Sequence, residues 1–168
     1  MTYEIKPQIG LGPIKFGMSP KDISEILGRP LKTSIRLSKN ETDKDVIQYN
    51  GNQHSAWYGK DTAENADMQI TYLKDKAIII TIFKQSGPLE YRDMNLHKKK
   101  IREEVLDVLA EDEDIYYYNE RTYFFPKVGL IIPTPNHMKR FFFIQLVLSE
   151  TIIPRLEFDM YEPSTALD

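Results

Sequence analysis

The chain has no cysteine and only three histidines in 168 residues. Without cysteine there can be no disulfide scaffold, no thiol catalysis and no thiolate-bound zinc or iron–sulfur cluster. The histidines His54, His97 and His137 are far apart in the sequence, and none has a second ligand at metal-binding spacing. We therefore expect no metal site and no cofactor.

Long apolar runs are also missing, and residues 1–6 contain no apolar signal-peptide core. The net charge of −3 gives no overall attraction to nucleic acid. These features predict a cytoplasmic protein with no membrane and no nucleic-acid partner.

Catalytic motifs are absent as well. There is no Gly-x-Ser-x-Gly, and Gly10-Leu11-Gly12 is followed by Pro13 rather than by the residues of a phosphate-binding loop. We interpret these glycines as turn residues, and we predict that the protein is not an enzyme and has no catalytic residue. One alternative stays open: a small hydrolase-like enzyme that combines Glu or Asp side chains with His54 or His137.

Residues 19–28 carry a complete set of helix start and stop signals. Ser19 can cap the helix, Pro20 suits its first position, and Asp22 can return a hydrogen bond to the Ser19 amide. Gly28 can end the helix, and Pro30 prevents its continuation.

A second helix is predicted over residues 93–110, because apolar residues recur there at three- and four-residue spacing. Residues 31–44 are polar and are predicted to form a loop. The other segments read as strands, with Asn50-Gly51 and residues 74–76 as hairpin turns. The predicted strands are 2–6, 46–49, 53–58, 68–73, 77–83, 115–118, 122–125, 129–132 and 139–148.

These elements predict an α+β fold in one domain, residues 1–168, with an antiparallel sheet of about eight strands and two main helices. One helix followed by four strands occurs twice, which is the pattern of a duplicated unit with half-repeats 10–86 and 90–159. The alternative is one undivided antiparallel sheet with both helices on one face. Both interpretations give the same fold class.

The strongest functional pattern is the acidic and aromatic segment 111–120. If Ile115 and Tyr117 face the core of an alternating strand, Tyr116 and Tyr118 face solvent beside the carboxylates. The alternative is that the acids form a solvated loop between helix and strand and the tyrosines fill the sheet. Exposed tyrosines give large contact areas, and clustered carboxylates attract a basic partner. The predicted partner-binding residues are Asp112, Glu113, Asp114, Tyr116, Tyr118 and Glu120.

The stretch Gly-Pro-Ile-Lys-Phe-Gly-Met-Ser-Pro at residues 12–20, followed by Leu27-Gly28-Arg29-Pro30, resembles a bacterial motif. This motif opens helix–sheet units in small outer-membrane assembly lipoproteins, in beta-lactamase-inhibitor-like proteins and in small immunity proteins of toxin–immunity systems. The lipoproteins need a lipid-accepting cysteine, which this chain lacks. The resemblance therefore implies an immunity protein of the contact-dependent inhibition type.

Together, the resemblance and segment 111–120 predict a cytoplasmic immunity or inhibitor protein. Its partner would be a cognate toxin with a basic surface, most simply a nuclease whose active site it covers. A structural assembly factor that pairs its sheet edge with a partner strand is a further alternative. The sequence leaves the oligomeric state open.

Overall fold

The computed structural model describes residues 2–36, 53–83, 86–97, 108–109, 111, 115–118, 122–133, 143–149 and 159–160. This part of the chain is mostly β-structure, with one α-helix of seven or more residues, α1 (Pro20–Leu27), and a short 3-10 helix at Ala63–Asn65. The strands are β1 (Tyr3–Lys6), β2 (Gly10–Leu11), β3 (Ile14–Lys15), β4 (Lys32–Arg36), β5 (Gln53–Tyr58), β6 (Met68–Leu73), β7 (Lys76–Phe83), β8 (Leu89–Tyr91), β9 (Met94–Asn95), β10 (Tyr116–Tyr118), β11 (Thr122–Phe125), β12 (Leu130–Pro133), β13 (Phe143–Val147) and β14 (Asp159–Met160).

The larger sheet has nine strands in the order β14-β10-β11-β12-β13-β7-β6-β5-β4. It contains two antiparallel meanders, β4–β7 and β10–β13, which meet where β7 pairs with β13, and β14 pairs with β10 at one edge. The last strand of each meander therefore lies at the centre of the sheet. β7 has neighbours on both sides and is apolar on both faces, as its run of isoleucines predicts.

The smaller sheet has five strands in the order β3-β2-β1-β8-β9. It is antiparallel except where β1 runs parallel to β8. Residues of this sheet, the α1 residue Ile23 and alternate residues of the nine-stranded sheet form one hydrophobic cluster. We call the side of the larger sheet that faces this cluster its inner face, and the opposite side its outer face.

Helix α1 begins and ends where the sequence predicts. The Ser19 hydroxyl accepts a hydrogen bond from the Asp22 amide, and the Asp22 carboxylate accepts one from the Ser19 amide, both at 3.2 Å. Gly28 follows the helix with φ 87°, a backbone conformation that favours glycine. The Ile23 side chain is fully buried and fixes the helix on the core.

The predicted α+β class with two main helices is wrong. The fold is mostly β, and within the described residues α1 is the only helix of seven or more residues. The predicted second helix fails over residues 93–97, where β9 pairs with β8 instead. Val108 and Leu109 are helical, and residues 98–107 lie outside the described part of the chain.

The backbone at Arg92 and Asp93 explains this difference. Both residues have positive φ, 51° and 62°, as the two-residue turn of a hairpin requires. After that turn, Leu96 is buried and Met94 packs against the same hydrophobic cluster. The two residues are therefore apolar at strand spacing, although Met94 also fits a helical stripe with residues further along the chain.

The predicted strands at 2–6, 53–58, 68–73 and 77–83 are confirmed, and so is the hairpin between the last two. The four predicted strands between residues 115 and 148 each overlap an observed strand, β10 to β13. The loop predicted over 31–44 is wrong at residues 32–36, which form β4 and pair with β5. The hairpin predicted at Asn50-Gly51 lies outside the described residues, and the half-repeats 10–86 and 90–159 stay a prediction.

Candidate functional site

The predicted acidic and aromatic site falls largely outside the described residues. Asp112, Glu113, Asp114 and Glu120 are outside them, and so is the side chain of Tyr118. The structure brings Ile115 into the main hydrophobic cluster, as predicted. Tyr116, which was predicted to face solvent, is half-buried against a second cluster on the outer face.

This outer face carries a continuous row of residues that crosses every strand of the larger sheet. Each residue in the row lies directly opposite the next on the neighbouring strand, and directly opposed side chains point to the same side of a sheet. In spatial order the positions are Lys32, Trp57, Gln69, Thr81, Gln145, Ile131, Phe124, Tyr116 and Met160. We call this set the transverse row.

The row divides into two chemically different parts. Ile131 and Phe124 are each 1 % exposed and join Ile79 and Val147 in the second hydrophobic cluster. From Lys32 to Gln145 the row is polar or aromatic, and four of its five side chains there are at least partly exposed. We call the part of the outer face formed by Lys32, Ser34, Ser55, Trp57, Gln69 and Gln145 the open half.

Contacts between strands hold the open half in place. The Lys32 ammonium group lies 5.2 Å from the centre of the Trp57 ring, within cation–π range. The Gln145 amide donates a hydrogen bond to the Thr81 hydroxyl at 3.3 Å. The Ser55 hydroxyl is 3.2 Å from the Thr71 hydroxyl, in a second row parallel to the first. These contacts restrict the side chains before any partner arrives.

Two aromatic residues extend the outer face beyond the transverse row. Phe83 and Phe143 are paired across β7 and β13, and both are half-buried. Their ring centroids are 6.3 Å apart in an edge-to-face arrangement. The open half therefore combines amide and hydroxyl groups with accessible aromatic surface and carries one charged side chain, Lys32.

The histidines do not form a catalytic centre with acids in the described part of the chain. His54 lies on the inner face with its ring stacked on Tyr72, at a centroid distance of 4.8 Å. His97 is buried, and its Nδ1 atom is 2.9 Å from the Gly87 carbonyl oxygen. His137 lies outside the described residues. Among the residues that are described, no three His, Asp or Glu side chains form a group that can hold a metal ion.

The sequence interpretation missed the open half because it assigned residues 31–44, which include Lys32 and Ser34, to a loop and did not consider which face of the 53–58 strand Trp57 occupies. In β5 of the structure, Ala56 and Tyr58 are buried, and Ser55 and Trp57 alternate with them. That alternation assigns Trp57 to the face opposite the core. The pairing of Thr81 with Gln145 has no local signal, because 64 residues separate them.

No protein-family model matches the chain, and comparison with curated proteins and with solved structures found no match. None of the helices in the described residues is both long enough and apolar enough to cross a membrane.

Proposed function

We propose that this chain is a binding protein of the inhibitor or immunity type, and that it covers a partner protein with the open half of its outer face. The observation that carries the proposal is the transverse row, which places Lys32, Trp57, Gln69 and Gln145 side by side on four strands of one sheet. The sheet fixes the spacing of these four residues, and the contacts of Lys32 with Trp57 and of Gln145 with Thr81 reduce the conformational entropy that those side chains lose when a partner binds.

The chemistry of the open half suits a protein surface. Glutamine, serine and threonine side chains both donate and accept hydrogen bonds, as the peptide groups of a partner require. Tryptophan is among the residues that contribute most to protein interfaces. Trp57 is half-buried and held under Lys32, which gives it the position of an anchor surrounded by polar groups.

The identity of the partner is a narrower proposal. A nuclease toxin with a basic surface would be attracted by Asp112, Glu113 and Asp114, which precede β10 in the sequence. Tyr116, on β10, belongs to the transverse row at the end remote from Lys32. In the narrower proposal, the toxin also contacts the end of the sheet that is remote from Lys32. The same proposal places the protein in the cytoplasm.

The test begins with capture of the partner by the tagged protein, followed by measurement of the dissociation constant with purified components. Trp57→Ala should weaken binding about 30-fold, which corresponds to about 2 kcal/mol for an anchor residue. Glu25→Ala is the matched control, because Glu25 is exposed on α1, beyond the inner face. The melting temperatures of both variants show whether weaker binding comes from a lost contact with the partner or from a destabilised fold.

A second pair of variants tests the narrower proposal. Reversing the charge at Asp112 and Asp114 should weaken the complex by several kcal/mol and make its affinity less dependent on salt, without lowering the melting temperature. If affinity is unchanged, the acidic segment is not in the interface. If Trp57→Ala also binds normally, the open half is not the binding surface, and the main proposal is wrong.

The edge-pairing alternative has less support. β4 is an edge strand of the larger sheet, but it is only five residues long and has Lys32 and Arg36 at its two ends. Short edge strands with basic residues are typical of edges protected against pairing with another chain.

A further inference from the structure

A cleft of about 550 Å³ opens on the side of the molecule that carries the smaller sheet. It lies between the end of α1, the start of β1 and the connection from β5 to β6. Its apolar wall is formed by Ile26 and Leu27 of α1 together with Met68 of β6. Ile26 is 37 % exposed, so this wall is accessible from solvent.

The polar side of the cleft contains three groups without a hydrogen-bond partner in the described part of the chain. Tyr3 is only 7 % exposed, and no hydrogen bond to its hydroxyl is found there. The Ser86 hydroxyl is completely buried and also has no partner. Asp67, between them in the lining, has no side-chain hydrogen bond or ion pair among the same residues. Buried polar atoms are normally satisfied, so the buried Ser86 hydroxyl, beside two further polar groups without a partner in the described residues, indicates a place for a ligand.

The electrostatics of the cleft favour a positive ligand. Burial raises the pKa of Asp67, and the nearby Asp61 carboxylate raises it further, although Lys60 and the amino terminus act in the opposite direction. Burial also raises the pKa of Tyr3, to which the negative charge of Asp67 contributes. A cation bound here would stabilise the negative charge of Asp67 in place of the water that burial excludes.

We propose that this cleft binds a small organic cation, an alkylammonium or alkylguanidinium group with a short apolar body. The cationic group would donate hydrogen bonds to the Asp67 carboxylate and to the hydroxyl oxygens of Tyr3 and Ser86. The apolar body would lie against Ile26, Leu27 and Met68. Lys60 and the amino terminus balance the charges of Asp61 and Asp67, so the ligand would be held by the Asp67 carboxylate itself and not by a net negative charge of the cleft.

The site is independent of the open half, which lies on the other side of the nine-stranded sheet. It can therefore be tested on the protein alone. The probes are n-butylguanidinium and n-butylammonium, with n-butanol and butyrate as controls that share the apolar body without the positive charge. Binding is measured by calorimetry and by NMR shifts of the residues that line the cleft.

Both cations should bind at least tenfold more tightly than n-butanol, and butyrate should not bind. Asp67→Asn keeps the side-chain shape but removes the charge, and it should weaken cation binding at least tenfold. Asp75→Asn is the matched control, because Asp75 is exposed in a turn at φ 59°, which asparagine tolerates. Equal binding of cations and n-butanol, or unchanged binding in Asp67→Asn, would overturn the proposal.

One more comparison identifies the source of the cation. A Gly-Gly-Arg-Gly-Gly peptide carries the guanidinium group on an arginine side chain attached to a polypeptide backbone, as a partner protein would. If the peptide binds more tightly than n-butylguanidinium, the cleft receives an arginine side chain. If it binds more weakly, the ligand is a free small cation. Absence of binding by both overturns the assignment of the cleft.

Discussion

Gln8 joins the two sheets through four side-chain hydrogen bonds, so replacing it should lower stability strongly. Its side-chain amide donates to the Pro126 carbonyl at 2.8 Å, to the Lys127 carbonyl at 3.0 Å and to the Ser149 hydroxyl at 2.8 Å. Its carbonyl oxygen accepts from the Ser149 amide at 2.9 Å. A turn of the smaller sheet is thereby joined to the β11–β12 turn and to the end of β13.

The expected magnitude follows from the number of groups that Gln8 satisfies. Its two N–H bonds and its carbonyl oxygen amount to about three full hydrogen bonds, each with a net value of about 1 kcal/mol. Gln8→Ala should therefore lower the free energy of unfolding by about 3 kcal/mol. In a chain of 168 residues, this corresponds to a fall in Tm of about 6–12 °C.

Two further variants separate the hydrogen bonds from the backbone conformation. Gln8 has φ 62°, which costs a non-glycine residue about 1 kcal/mol. Gln8→Gly should thus be less destabilising than Gln8→Ala by up to that amount. Gln8→Glu keeps the length but loses both donors and directs a carboxylate at two carbonyl groups, so it should destabilise at least as much as Gln8→Ala.

The assay is urea unfolding followed by tryptophan fluorescence and circular dichroism, with the slope of the transition compared between variants. If Gln8→Ala and Gln8→Glu both unfold within 0.5 kcal/mol of the parent chain, this contact does not join the sheets in solution, and the reasoning is wrong.

Three other expectations follow from the structure. Tyr58 and Tyr72 have hydroxyl groups 2.8 Å apart in the core. Each single change to Phe should lower the free energy of unfolding by about 1–3 kcal/mol, because it leaves the other hydroxyl without its partner. The double change should cost less than the sum of the two, which a double-mutant cycle in urea measures. Burial and the Tyr58 hydrogen bond raise the pKa of Tyr72 above its ordinary value of 10.0, so its contribution to stability is complete below pH 10 and is lost as pH rises further. Unfolding curves should show this loss, and Tyr72→Phe should reduce it. Ser19→Ala removes the cap of α1 and should lower stability by about 1 kcal/mol, while an unchanged Tm would contradict the capping role.

The sequence predicted those elements whose signals are local. The α1 cap needs only Ser19, Pro20 and Asp22, which lie within four positions of one another. The hairpin at Lys74 and Asp75 was likewise predictable, because a strand-like apolar run flanks the turn on each side. The Arg92–Asp93 turn has the same positive φ values, but arginine gives no turn signal at that position.

β4 shows a second reason why prediction fails. Ile35 is 75 % exposed, and the other described side chains of this strand are also exposed. The strand is therefore stabilised by its ladder with β5 rather than by burial, and its sequence carries no alternating apolar pattern. The open half was missed for a related reason, since it depends on the register between strands that are distant in the sequence.

Photocrosslinking in the complex with the captured partner tests directly whether the open half is the binding surface. The photoreactive residue p-benzoylphenylalanine replaces Gln69, at the middle of the open half, or Glu25 on α1 as the control. The proposal predicts a covalent product with the partner from position 69 and none from position 25. A product from position 25 alone would place the partner on the opposite side of the sheet and contradict the proposal.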